Sequence, residues 1–565
     1  MVRGMSAPTK SVPAAAQRPA RSSKISTPVF VYIAAFLAAG VVGATISVEF
    51  LGESLAALGI PDPGKLTSFG LPFLRSAATI VGCLSVGSFL MSSFGPPPRK
   101  DGYLDYDGFQ AANTGRWSSF LWMLFSLLLI PMYLSDVSGA PLKETLQPDL
   151  WGVAISQVST AQAWLAVAII AGITWLGSML TRKWIWQPVF LALALCSMVP
   201  LALEGHSASG GNHDVGVNSF LWHLLASAVW IGGLMALVAH AKRRGPHLAL
   251  ITKRYSFLAL CAIIAVLISG VVNAAIRVKF TEWLTTDYGL VITAKAVLGI
   301  VLVGFGYFHR EKLIPKLEAA EGDNGKMTAA QRAPFIRLAI GEILVMAATV
   351  GVAVSLSRIP PPLPEQIDIT TQDVLLGFTL TEAPNYLHMF FMLRFDWVFG
   401  PIALLLQGFY MWAWWSLRKK GVEWPINRLA WWTAGNLVLL YSTCSGLGMY
   451  AMAMFSPHML QHMLLAMLVP ICWVLGGPMT LFLRALPAAG RNGVPGPREW
   501  LVVFINNPVS RFWTNPIVAA IQFVVGFYWL YLSALFDVTA DKHAGHLFMM
   551  IHFVISGYIL SLIHI

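Results

Sequence analysis

Charge is scarce in this chain. Asp, Glu, Lys and Arg make up 12% of its 565 residues, about half the share of a soluble globular protein, while hydrophobic residues reach 56% and mean hydropathy is +0.66. That deficit excludes a string of soluble domains and leaves an integral membrane protein. Cysteine is scarce as well. Cys83, Cys196, Cys261, Cys444 and Cys472 are scattered through apolar segments with no CxxC pair, which excludes a disulfide framework and a dithiol metal carrier. Sulfur chemistry, if present, falls to methionine. Phosphate loops are missing too, since Gly304-Phe-Gly-Tyr lacks both the third glycine and the strand context of a dinucleotide fingerprint. No nucleotide is expected. The net charge of +11 would suit nucleic acid, yet no soluble segment is long enough to carry a basic domain. Nucleic acid is excluded on that ground.

What the chain does have is long apolar runs. A bilayer crossing takes about 20 apolar residues, and that ruler finds fourteen spans centred near residues 38, 84, 127, 168, 194, 229, 266, 298, 346, 407, 438, 467, 525 and 554. The expected fold is therefore all-α, a polytopic helical bundle in the lipid bilayer. The basic tail and alternate loops carry 29 of the 38 Lys and Arg, the opposite loops carry 7, and Arg75 and Lys295 lie inside apolar segments. Cationic loops resist translocation, so the N-terminus is expected in the cytoplasm. The first span, from Val29 to about Val48, is long for a signal-peptide core and reads as an uncleaved anchor. The expected domains are a cytoplasmic basic tail (1–27), a nine-helix membrane domain (28–358), an external proline-rich linker (359–384) and a second membrane domain (385–565). The last span reaches Ile565 without a polar cap, so the second domain is expected to be incomplete at its C-terminus.

Orientation sorts the thirteen histidines. Nine fall in external loops or the outer parts of spans, and His240, His247, His309 and His564 fall on the cytoplasmic side. The sharpest cluster is the stretch Gly448-Met-Tyr-Ala-Met-Ala-Met-Phe-Ser-Pro-His-Met-Leu-Gln-His-Met. Met449, Met452 and Met454 close one span externally. Pro457 opens the next helix and sets His458 and His462 at i, i+4 on one face, with Met459 and Met463 on the adjoining face. Imidazole with thioether is a copper-selecting set favouring Cu(I), and the HMLQH stretch lacks the glutamate base of a zinc hydrolase. No enzymatic activity is expected. The competing reading is that methionine fills gaps and histidine hydrogen-bonds a neighbouring helix.

A second cluster opens the last span. There His543, His546 and Met550 share a face of about 60°, while Met549 and His552 form a separate i, i+3 pair. His388, Met389 and Met392 make a weaker third group. In the first half, His206, His213 and His223 belong to a loop without Lys or Arg, with His223 about one turn into the following span. Lys295 is a candidate for a pathway through the membrane or for a structural anchor, and it differs from Glu342 by roughly 10 Å in depth. Asn273 reads as a structural hydrogen-bonding group.

Two family resemblances run through these residues. His223-Leu-Leu-Ala-Ser-Ala-Val-Trp-Ile-Gly-Gly-Leu, Arg254-Tyr-Ser, Ser269-Gly270, Tyr288-Gly, Lys295 and His309-Arg310 resemble the CopD family of copper-resistance and copper-uptake membrane proteins, over about 200–310. His458-Met-Leu-Gln-His-Met-Leu-Leu, Gly477-Pro478 and His546 through His552-Phe-Val-Ile-Ser-Gly-Tyr are similar to the CtaG family of cytochrome c oxidase assembly factors, over about 385–560. The resemblance implies a fusion with copper uptake or resistance in one half and supply of oxidase copper in the other. The implied partners are a haem-copper oxidase subunit or periplasmic copper carrier, in a bacterial cytoplasmic membrane. A b-type haem redox protein, with histidines of separate helices as axial ligands, is the alternative from another class.

Overall fold

The computed structural model describes residues 27–52, 59, 61–203, 212–321, 327–359, 361–362, 370–489, 493–540 and 543–564. Helices stand at all fourteen expected centres. Eleven are long and apolar enough to cross a membrane: α1 (Pro28–Glu49), α2 (Lys65–Phe94), α3 (Tyr106–Ser138), α4 (Ser159–Leu180), α5 (Trp184–Leu203), α6 (His213–Lys242), α7 (Leu248–Ala275), α8 (Asp287–Ala320), α9 (Ala329–Arg358), α12 (Phe455–Ala485) and α14 (His543–His564). The other three are α10 (Phe399–Lys419), α11 (Ile426–Cys444) and α13 (Pro516–Leu532). α10 and α11 are less apolar in part because they hold a polar pair inside, with Asn436 Nδ2 donating to Gln407 Oε1 at 2.9 Å. α13, at 17 residues, is at the lower limit for a crossing. The protein is a multi-pass, all-α membrane protein.

Lipid supplies no hydrophobic drive between helices, so small residues and buried hydroxyls hold the bundle together. α2 is the centre of the first half, packed against α1, α3 and α6. It crosses α6 where a Cβ on Gly87 would stand 1.9 Å from the Gly232 backbone, so only glycine permits that approach. Serines bridge α2 to its neighbours, as in the 2.7 Å bond between Ser85 and Ser119. The second half has its own core around Tyr410, Trp432 and Trp473, in which Tyr410 donates to Gly476 O at 2.8 Å. Trp414 and Trp415 sit beneath Arg418 and Lys419 at the C-terminal end of α10, an interfacial anchor.

The two halves touch where α6 begins. Asp214 at the start of α6 pairs with Arg394, just before α10, and Trp222 Nε1 donates to Trp397 O at 2.8 Å. Of the expected linker, residues 360 and 363–369 lie outside the described residues. The part after them forms a short helix, Thr371–Leu376, capped by Thr370, and Gly377 O accepts from Asn212 N at 2.8 Å.

Candidate metal centre

The site is built on an irregular helix. α12 opens at Phe455 with Pro457 in its first turn, where a missing N–H removes no helical bond. His458 and His462 then fall one turn apart, with ring centroids 4.1 Å from each other. Directly after them the helix widens into a π turn, Leu464–Leu468. The sequence supplies the cause in Pro470, which has no N–H to donate to the carbonyl of Ala466 and whose ring collides with that carbonyl. That carbonyl faces α14 at Gly557, where a Cβ would stand 2.0 Å from Ala466 O. The close crossing presses α14 onto α12 and carries His546 to the histidine pair.

Ligand atoms of His458, His462 and His546 all lie within 4.8 Å of one another. The rings are 4%, 0% and 5% exposed, so neither water nor lipid reaches them. His546 stands 5.3 Å from His458 and 5.8 Å from His462 between ring centroids. His458 Nδ1 lies 3.3 Å from Ala451 O. A carbonyl only accepts, so Nδ1 carries the proton and Nε2 keeps its lone pair. His462 Nδ1 lies 2.6 Å from the hydroxyl of Tyr531 on α13. The Nε2 atoms of all three rings are buried with no hydrogen-bond partner. Each unsatisfied buried group costs about 1–3 kcal/mol, and with the proton on Nδ1 of each ring one water has only two protons to offer three nitrogens. A cation serves all three at once, and the set leaves a position open for a further ligand. Phe455, Phe536 and Phe553 wall the site, with Phe553 4.8 Å from His462.

The remaining expected ligands are distributed differently. On α14, His543 does not share a site with His546 and Met550. Its Nε2 lies 2.9 Å from Asn218 Oδ1 of α6, because the first half occupies that side of the helix. Met550 is buried in the apolar core of the second half. Met549 receives the Thr539 hydroxyl at 3.7 Å, and His552 lies against Gly526 of α13 and stacks on Phe548. Met449, Met452, Met459 and Met463 are half-buried, while Met454 is 40% exposed. In the third group His388 Nδ1 lies 2.9 Å from Ala383 O, and Met392 accepts from Tyr450.

In the first half the expected loop of three histidines dissolves. His206 lies outside the described residues. α6 starts at His213 itself, which puts His223 about 15 Å further in rather than one turn in. There His223 Nδ1 lies 3.0 Å from the Ser269 hydroxyl. Asn273 on the same helix donates to Ser219 at 2.7 Å, the structural role expected of it. Glu342 is met by His309 Nε2 at 3.0 Å rather than by Lys295. Outside the spans, burial pushes the Asp396 carboxyl up to about 6, against the pull of the Phe399 and Val398 amides; Asp214 raises it further and Arg394 lowers it.

Sequence reading missed Tyr531 and Asn218. Neither has a local signal: each is one polar residue on an apolar face, and its role exists only once a histidine from another helix arrives.

Comparison with known proteins divides the chain into three matched stretches. Residues 66–215 match the copper resistance protein D-like N-terminal domain, 249–356 match copper resistance protein D, and 408–565 match the cytochrome c oxidase caa3 assembly factor. An uncharacterised protein of Mycobacterium leprae is 29% identical over 528 residues, 93% of this chain and 76% of that protein. The inner membrane protein YebZ of Escherichia coli is 26% identical over 36% of this chain and 71% of its own length. The copper transport protein CutJ of Bacillus subtilis is 28% identical over 29% of each. No solved structure matches.

Proposed function

We propose that this chain, which joins copper resistance protein D segments to a caa3 oxidase assembly factor segment, is a non-enzymatic copper-handling protein of a bacterial cytoplasmic membrane. The first half serves copper uptake or resistance. The second holds copper at His458, His462 and His546 for delivery to a haem-copper oxidase, directly or through a periplasmic carrier. The observation that carries this reading is the convergence of three buried, unpartnered imidazole nitrogens inside the segment that matches the assembly factor. Imidazole alone suits several metals. The copper assignment draws on the matched families, and three imidazoles without a fixed fourth ligand suit Cu(I).

The test is metal content. Purified full-length protein should bind copper, and the double variant His458→Ala/His462→Ala should lose it and lower the oxidase activity of membranes that carry it. Unchanged copper stoichiometry in that variant would sink the site. Zinc retained in preference to copper under equal supply would keep the site and overturn the metal. A b-type haem reading has less support, since the third ring occupies the space that a porphyrin between the other two needs. Haem bands in a reduced-minus-oxidised spectrum would restore it.

A further inference from the structure

At the seam between the halves lies a second pair of histidines that the three-imidazole centre does not explain. His213 opens α6 and His543 opens α14. Their ring centroids are 6.1 Å apart with planes at 87°. His543 Nε2 points at Asn218 Oδ1, and an amide oxygen only accepts, so Nε2 carries the proton and Nδ1 keeps the lone pair. That Nδ1 is buried and has no hydrogen-bond partner.

The separation has a chemical meaning. Metal–imidazole bonds are about 2.0 Å, and a ring nitrogen lies roughly 1 Å from the ring centre, so two imidazoles sharing one linearly bound ion stand about 6 Å apart. Linear two-coordination leaves the twist between the rings free, which accommodates perpendicular planes. The charges do not exclude a cation. Two helix N-termini meet here and would repel a cation, but Asp214 sits in the first turn of α6, where Arg394 Nη2 lies 2.9 Å from its Oδ1. Asp396 interacts electrostatically with Asp214 and Arg394, so two carboxylates and one guanidinium share this end of the seam. Position completes the case. His543 and His546 are one helical turn apart on α14, so an ion leaving the pair has roughly 5–6 Å to travel before it meets the first imidazole of the buried centre.

We propose that His213 and His543 form a two-imidazole transit site for a soft monovalent cation of the Cu(I) type, through which the ion crosses from the first half into the His458/His462/His546 centre. The proposal rests on the reading of that centre as a metal site.

Full-length protein is titrated with Cu(I) held on a weak chelator, and both stoichiometry and loading rate are read. Wild type should bind two ions. His543→Gln and His213→Gln, which fill the space without an imidazole, should each bind one and load the buried centre roughly tenfold more slowly. His462→Ala should keep the seam ion. Using one residue from each helix guards against a variant that merely misfolds, and a thermal melt of each checks it. If wild type binds a single ion that is lost in His462→Ala and unaffected in rate by both glutamine variants, the transit site is overturned while the buried centre stands. If Cu(I) binding survives His462→Ala unchanged, the centre itself falls and the transit proposal falls with it.

Discussion

Both halves bury histidines, but they surround them differently. Near the C-terminal end of α6, His240 is fully buried, bonded to Asp107 through Nδ1 and 3.0 Å from Pro246 O through Nε2, and Arg243 closes the other side of the same carboxylate. His309, also buried, faces Glu342. Each imidazole there has its counter-charge inside the protein. Between α12 and α14 of the second half, three imidazoles converge with no carboxylate among them, and their Nε2 atoms are left open. Burial alone therefore says little about a histidine. What separates the two settings is whether a carboxylate stands against the ring, as Asp107 and Glu342 do in the first half and none does among the three converging imidazoles.

The comparison can be broken from either side. Asp107→Asn should have the largest effect on stability, because it leaves Arg243 and His240 without their carboxylate in a buried setting. A loss of about 3–5 kcal/mol is expected, read by chemical unfolding in detergent, with copper at the three-imidazole centre unchanged. Copper lost in parallel would mean that the two settings are coupled, and the contrast would fail. Tyr531→Phe should have a smaller and opposite pattern. It removes the hydroxyl that orients His462, so Cu(I) affinity should drop roughly tenfold in chelator competition with little change in melting of the metal-free protein. The smallest effect is expected for Met459→Leu with Met463→Leu, swaps that conserve volume. Copper affinity within about twofold of wild type marks the centre as imidazole alone, whereas a tenfold loss makes thioether a ligand after all.

Legibility followed the range of the interaction. The fourteen helix positions were legible because each is a local run of apolar residues, and even the less apolar α10 and α11 stood at their expected centres. His458 and His462 were legible as a pair because helical spacing alone puts i and i+4 on one face. The last-span cluster was misjudged for the same reason. Helical angle grouped His543 with His546 and Met550, but what each touches depends on the helix opposite: α6 at His543, α12 at His546, the apolar core at Met550. His223 went wrong through a boundary, since α6 begins ten residues before it.

The sequence by itself determined that this chain crosses a membrane many times, that cations mark one side, and that one helix presents two histidines together. Those properties come from composition and from periods of a few residues. Only the tertiary structure decided which third imidazole joins them. Pro470 widens α12, the freed bulk of the Ala466 carbonyl is accepted only by a glycine at 557, and that crossing brings in His546 from 84 residues beyond His462. No local period encodes it, because a metal centre between helices is fixed by how closely two backbones approach.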